Sequence, residues 1–170
     1  IVVEEWMEHL MEVRPANISL HGRTLRQLYQ GSADWEAIGR AAGVVHKHGG
    51  HILGNGDVLS LQDGMDKVKQ FGVDGFLIGR FAEGNPGIFL QGMEPCNKEQ
   101  QLTWMLEHVR VYESIYKPEL EVPGDVRWFM PMRKHLAWYC KGFPGASELR
   151  SRLMLTNNVE EVWEIIKNTV

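Results

Sequence analysis

At 170 residues, 44% hydrophobic and 24% charged, the chain has the make-up of a folded globular protein of about one domain or a little more, which excludes collagen-like and disordered classes. No run approaches the ~18 apolar residues of a spanning helix and the first residues lack a signal peptide's basic-then-apolar layout, so a cytoplasmic protein is expected. A net charge of -4 confines any nucleic-acid site to a local basic patch.

From Glu4 to Val13 the apolar residues Trp6, Met7, Leu10 and Met11 recur at helical spacing, and Arg14-Pro15 closes the segment because a residue before proline leaves the α region. A short strand follows at Asn17 to His21 and runs into the polar His21-Gly22-Arg23-Thr24. Asp34 to His48 reads as a helix with Asp34 as its cap and Trp35, Ile38, Ala41, Ala42 and Val45 on one stripe, ended by Gly49-Gly50. His51 to Gly54 is a second strand, Ser60 to Phe71 another helix, and Gly75 to Ile78 a third strand ending at Gly79-Arg80. Strands alternating with helices imply parallel pairing, since parallel strands need a covering crossover. Three such strands alone leave two unpaired edges, so they read as part of a larger sheet. Beyond Asn97 the pattern is helical only: Lys98 to Tyr116, Asp125 to Lys141, Ala146 to Leu155 and Val159 to Lys167. The boundary is expected within residues 92–97, where Gly92-Met93-Glu94-Pro95 interrupts the periodicity.

In α/β architectures the loops at the carboxyl ends of parallel strands form the active face. Asn55-Gly56-Asp57 after one strand and Gly79-Arg80 after the next have the residue types of an anion site: glycines admit close backbone approach, and an arginine can fork onto phosphate oxygens. Either motif alone is equally a tight turn or a surface charge; together, at matching strand ends, they favour a ligand. His21 and Arg23 add an imidazole and a guanidinium at the first strand end. His46, His48 and His51 carry metal-ligand residue types, but the run straddles a helix end, and no metal is expected there. Cys96 and Cys140 lack Cys-x-x-Cys spacing and neighbour no activating motif, so both are expected to be inert thiols. Farther on, Arg127, Arg133, Lys134, Lys141, Arg150 and Arg152 are interleaved with Trp128, Phe129, Trp138, Tyr139 and Phe143, and Arg127, Lys134 and Lys141 repeat every seven residues. That pattern suits an RNA-contacting surface. It suits a solvated face over an aromatic core equally well.

His21-Gly22-Arg23-Thr24, Tyr29-Gln30-Gly31-Ser32-Ala33-Asp34-Trp35, Gly54-Asn55-Gly56-Asp57 and Gly72 to Arg80 with Gly84-Asn85-Pro86 together resemble the tRNA-dihydrouridine synthase family. The resemblance covers residues 4–91 and continues more loosely through Arg133 to Tyr139 and Gly142 to Ala146. It implies an α/β fold: the C-terminal portion of a (β/α)8 TIM barrel, about strands six to eight, followed by an all-α helical domain. Residues 1–92 would be a partial FMN-binding barrel and residues 98–170 a helical tRNA-binding domain. The implied activity of the parent protein is reduction of uridine to 5,6-dihydrouridine in tRNA, with NADPH reducing FMN. Asn55, Gly56, Asp57, Gly79 and Arg80 match positions at the FMN phosphate and ribityl end, and His21 matches the histidine beside the flavin. Arg23 is a substrate-side candidate; Arg127, Arg133, Lys134 and Arg152 are RNA candidates. The family's acid cysteine and a lysine on the preceding strand would lie upstream, so no catalytic residue is expected in this chain, which should be inactive alone. Its open sheet edges are expected to drive self-association. The alternatives are a non-catalytic RNA-binding or scaffold module, or another phosphate-binding barrel flavoenzyme.

Overall fold

The computed structural model describes residues 2–92, 96–117 and 125–169. The chain divides into two compact units, one of residues 1–81 with 88–91 and one of residues 82–87 with 92–170. The expected boundary at 92–97 includes residues 93–95, which lie outside the described residues.

In the first unit, helix α1 (Val3–Glu12) buries Met7 and Met11, one turn apart, and precedes strand β1 (Ile18–His21). Helix α2 (Trp35–Lys47) starts where the Asp34 carboxylate accepts the Ala37 N–H at 2.8 Å, satisfying one of the donors that a helix start leaves over. Its stripe of Ile38, Ala41, Ala42 and Val45 is sealed from solvent, and burying Ile38 alone is worth about 1.5–3 kcal/mol. Strand β2 (Ile52–Asn55) follows, then α3 (Leu61–Phe71), capped by Ser60 and stopped by Gly72 in the left-handed region, then β3 (Gly75–Leu77). The three strands are parallel in the order β1-β2-β3. Their register sets His21 beside Asn55 and Asn55 beside Leu77, so three loops leave the sheet together at the carboxyl ends of the strands.

The opposite end of the strands is tied by Asp74. It accepts the Ile52 N–H at 2.8 Å and faces His46 Nε2 at 2.9 Å and His51 Nδ1 at 3.5 Å. The His46 bond, foremost, lowers its carboxyl to about 2. His48 faces Glu8. Among the described residues no group of three or more His, Cys, Asp or Glu side chains could hold a metal ion.

The second unit is helical, with α4 (Lys98–Tyr116), α5 (Met130–Tyr139), α6 (Ala146–Leu153) and α7 (Val159–Lys167) around Leu102, Met105, Phe129, Leu136, Leu153 and Val162. Asn97 and Asn158 cap α4 and α7. The expected helix from Asp125 to Lys141 is shorter than the periodicity suggested: Arg127–Phe129 form a 3₁₀ turn and α5 starts only at Met130. At the far end Cys140 leaves the helical region, so Lys134 is the only member of the Arg127, Lys134, Lys141 series that lies within α5. The sevenfold repeat therefore does not make one basic face. No described helix is long and apolar enough to cross a membrane.

Candidate functional site at the strand ends

Local backbone demands build the first loop cluster. Gly54 packs so closely against the Trp35 ring that a Cβ would collide with it, and the Trp35 indole N–H donates to the Gly56 carbonyl at 2.8 Å. Gly56 has φ of +119°, and a Cβ there would come within 2.6 Å of Ala33 and 3.3 Å of His21. Only glycine fits both the conformation and the space. Asp57 follows in the left-handed region at φ of +52°, tolerated by its short side chain at a cost the contacts must offset.

Those contacts converge on its carboxylate. Oδ2 accepts from Arg23 Nη2 at 2.5 Å and from the Ala33 N–H at 2.8 Å, and Oδ1 accepts from Arg80 Nη2 at 2.8 Å. The Arg23 bond, foremost, holds the Asp57 carboxyl below the usual carboxylate range against the opposing effect of its burial. The Arg23 side chain is only 4% exposed, and its Nη2 also donates to the Gly31 carbonyl at 2.6 Å. Its Nη1 is the one buried side-chain polar atom among the described residues without a hydrogen-bond partner. Arg80 is half exposed and lies over the Tyr29 ring at 4.8 Å. His21 Nδ1 accepts the Arg23 N–H at 3.0 Å, which leaves its Nε2 as the protonated nitrogen of the neutral ring. Beside these residues a cavity of about 520 Å³ runs along α1, β1 and α2, with Trp6, Leu10 and Leu20 on its apolar wall and His21, Arg23 and Thr24 at its polar end.

All six strand-end candidates, His21, Asn55, Gly56, Asp57, Gly79 and Arg80, thus end or follow the three strands at their carboxyl ends, and a Cβ at Gly79 would meet nothing within 4 Å. Two cations face one anion here, an arrangement that attracts a further anion toward the arginines. An anion at about 4 Å from the carboxylate itself would be repelled by about 4 kcal/mol at an effective dielectric of about 20. Sequence reasoning gave Trp35 only a core position and missed Tyr29 as the platform for Arg80. Their place within the Tyr29 to Trp35 run was the available signal.

The helical candidates do not gather. Arg133 donates through Nε to the Thr156 carbonyl at 2.9 Å and through Nη2 to Asn157 at 2.8 Å. Arg127 is paired with Asp125, whose carboxyl it lowers to about 2. Lys134 lies over the Trp138 ring at 4.9 Å, and Arg152 is exposed. Phe129 and Tyr139 are buried, so part of the interleaved aromatic set is core. Cys140 is fully buried, which pushes its thiol up to about 11 and leaves it protonated.

Comparison with known proteins points the same way as the motifs. The family model for dihydrouridine synthase (Dus) matches residues 8–170. A probable tRNA-dihydrouridine synthase of Mycobacterium leprae is 33% identical over 152 residues, covering 86% of this chain and 38% of that protein. One from Staphylococcus epidermidis is 30% identical over 164 residues, covering 95% and 48%, and probable tRNA-dihydrouridine synthase 2 of Bacillus subtilis is 31% identical over 160 residues, covering 93% and 47%. The chain spans less than half the length of these relatives. With the family model matched along nearly its whole length, the chain belongs to the dihydrouridine synthase family.

Proposed function

We propose that this chain is the C-terminal portion of a flavin-dependent tRNA-dihydrouridine synthase, contributing about strands six to eight of a (β/α)8 barrel and a helical tRNA-binding domain, in the cytoplasm. The strand order is what a barrel segment has, with each new parallel strand added on the same side of the last. The observation that carries the reading is the strand-end cluster, where two arginines gathered by Asp57 stand at the ends of the strands with open space at Gly79.

These residues fit FMN. The open Gly79 backbone leaves room for the phosphate and ribityl end, Gly56 allows the tight turn packed on Ala33 and His21 that places Asp57, Arg80 supplies a charge-assisted bond to the phosphate, and the orphaned Arg23 Nη1 is a donor in want of an acceptor on the substrate side. His21 would donate through Nε2 beside the ring system. Bound there, FMN reduced by NADPH would supply the electron pair that saturates a uracil ring. The chain's own part is to bind, orient and exclude water, because reactant geometry and fixed dipoles are what a protein adds to cofactor chemistry. The uridine must leave its stack to arrive. Neither cysteine suits the acid of the reaction: both lie in the helical unit, and Cys140 is a buried thiol. We therefore expect no uridine reduction by these 170 residues alone. On the helical unit Lys134 and Arg152 are the more available of the RNA candidates. Arg127 acts with Asp125 beside it, and Arg133 contributes by holding the turn before α7.

The outer edges of β1 and β3 pair with no described strand, which supports self-association of the isolated chain. The deciding measurement is a titration of the chain with FMN, followed by flavin fluorescence, beside Arg80→Ala. Saturable binding that weakens by ~10-fold or more in the variant is expected from the loss of a charged hydrogen bond of ~1.5–3 kcal/mol. RNA binding with no flavin binding would return the non-catalytic module, and flavin binding without RNA binding would return another barrel flavoenzyme.

A further inference from the structure

Asp57 is the strand-end residue whose expected role the geometry changes. The motif made it a member of an anion site, yet both its oxygens already accept donors, Oδ2 from Arg23 and Ala33 and Oδ1 from Arg80. A carboxylate so placed repels a phosphate and cannot donate to one. It nevertheless occupies a left-handed backbone position at φ of +52°, a conformation retained where surrounding contacts over-determine it. Arg80 is held along one edge by this carboxylate and on one face by the Tyr29 ring at 4.8 Å. Its Nε and Nη1 have no hydrogen-bond partner among the described residues. A long, half-exposed arginine loses much rotamer freedom on meeting an anion unless something orders it beforehand.

We propose that Asp57 is a positioning residue: its carboxylate fixes the Arg80 guanidinium against Tyr29 for a phosphate monoester at the strand ends, and makes no contact of its own with that phosphate. This role rests on the cofactor reading above and deepens it. Asp57 also anchors Arg23, so one carboxylate sets the spacing of both cations; its carboxyl, held below the usual carboxylate range foremost by Arg23, stays charged at neutral pH.

Asp57→Asn is the discriminating variant, because asparagine keeps the size and tolerates the left-handed backbone. FMN, riboflavin and inorganic phosphate are titrated against the 170-residue chain, Asp57→Asn, Arg80→Ala and the double variant. The expected pattern is a ~10-fold loss of FMN and phosphate affinity in Asp57→Asn with riboflavin unchanged, and no further loss when the substitution is added to Arg80→Ala, since the carboxylate acts through that arginine. The Arg80 Nη2 proton signals, resolved in the unsubstituted chain because the bond to Asp57 slows guanidinium rotation and exchange, should collapse into the averaged arginine envelope in Asp57→Asn without ligand. Tighter FMN or phosphate binding in Asp57→Asn would mean that the carboxylate merely repels, and unchanged binding that it does nothing for Arg80; either overturns the proposal. Equal losses for FMN and riboflavin would assign Asp57 to folding alone and overturn it as well. If the unsubstituted chain binds phosphate but neither flavin, the cofactor reading falls while the phosphate series still decides the role of Asp57. If it binds no phosphate, the positioning role falls too.

Discussion

The two units use the same residue type for opposite ends. In the sheet unit Arg23 and Arg80 converge on Asp57 at the mouth of three strands, leaving Arg23 Nη1 and one edge of Arg80 without described partners. In the helical unit Arg133 and Arg150 close onto the main-chain carbonyls of Thr156 and Cys140, just beyond the C-termini of α6 and α5. The difference follows from what each architecture leaves unsatisfied. A helix ends in carbonyls without partners and a negative dipole end, which absorb nearby cations. Parallel strands spend their carbonyls on the ladder, so at their ends a side-chain anion shares in ordering the cations: Asp57 holds both arginines, Arg23 with help from the Gly31 carbonyl, and Arg80 keeps an edge available to a ligand. Basic residues in this chain are therefore binding candidates at strand ends and mostly structural ties beyond helix ends.

The largest effect that would sharpen the contrast is Phe129→Ala. Phe129 is wholly buried in the helical core, and the change should cost about 3–5 kcal/mol there. Urea titration followed by amide NMR should show helical-unit signals melting early while the Trp35 indole signal keeps its midpoint; a common shift of both would mean that the units unfold as one. Next comes Arg133→Ala, expected to cost about 1–3 kcal/mol because two buried-side acceptors lose a charged donor. Arg133→Lys should recover little, since an ammonium cannot span both acceptors. If Arg133→Ala leaves the urea midpoint unchanged, the arginine is no tie and the contrast breaks.

A smaller and more diagnostic effect is the response to acid. Burial lowers the His108 and His135 imidazoles below their ordinary value of 6.5, so the unfolded chain takes up protons first. That contribution to stability is complete above pH 6.5 and is lost as pH falls through the lower folded values. The sheet unit's depressed groups are all carboxylates, Glu4, Asp57, Asp63 and Asp74, the last at about 2. Their contribution is complete above about pH 4 and fades only as pH drops toward 2. Urea midpoints at pH 7.5, 5 and 3 should fall first for helical-unit signals and last for sheet-unit signals; the reverse order would contradict both assignments. The smallest effect is Lys134→Ala, which should lower tRNA affinity about threefold and reduce the salt slope by about one, with stability changed by under about 0.5 kcal/mol. An unaltered slope would remove Lys134 from the RNA surface.

Local chemistry was legible in the residues. The Asp34 cap, the stripe of Ile38, Ala41, Ala42 and Val45, and the glycine stop at Gly49-Gly50 all act within a turn or two of chain, which is why the helices and strands of the sheet unit fall close to their expected bounds. The start of α5 was less legible. Arg127 to Phe129 carry helical periodicity, but the Phe129 N–H reaches back to Val126, one residue short of an α-helical bond, and so rotates Arg127 out of phase with Lys134.

What the sequence determined by itself was the order of the elements and the presence of glycines and polar groups at three strand ends, because caps, periodicity and backbone permissiveness depend on neighbours in the chain. The choice of partner needed the tertiary structure. Asp57 meets Arg23 across 34 residues and Arg80 across 23, and Arg133 meets Thr156 across 23. No spacing rule joins such pairs, since they are brought together only when the sheet register places His21, Asn55 and Leu77 side by side and when α5 and α6 pack around a shared core. Whether a guanidinium faces a ligand or a carbonyl is settled by that packing, through which unsatisfied acceptor lies within its reach.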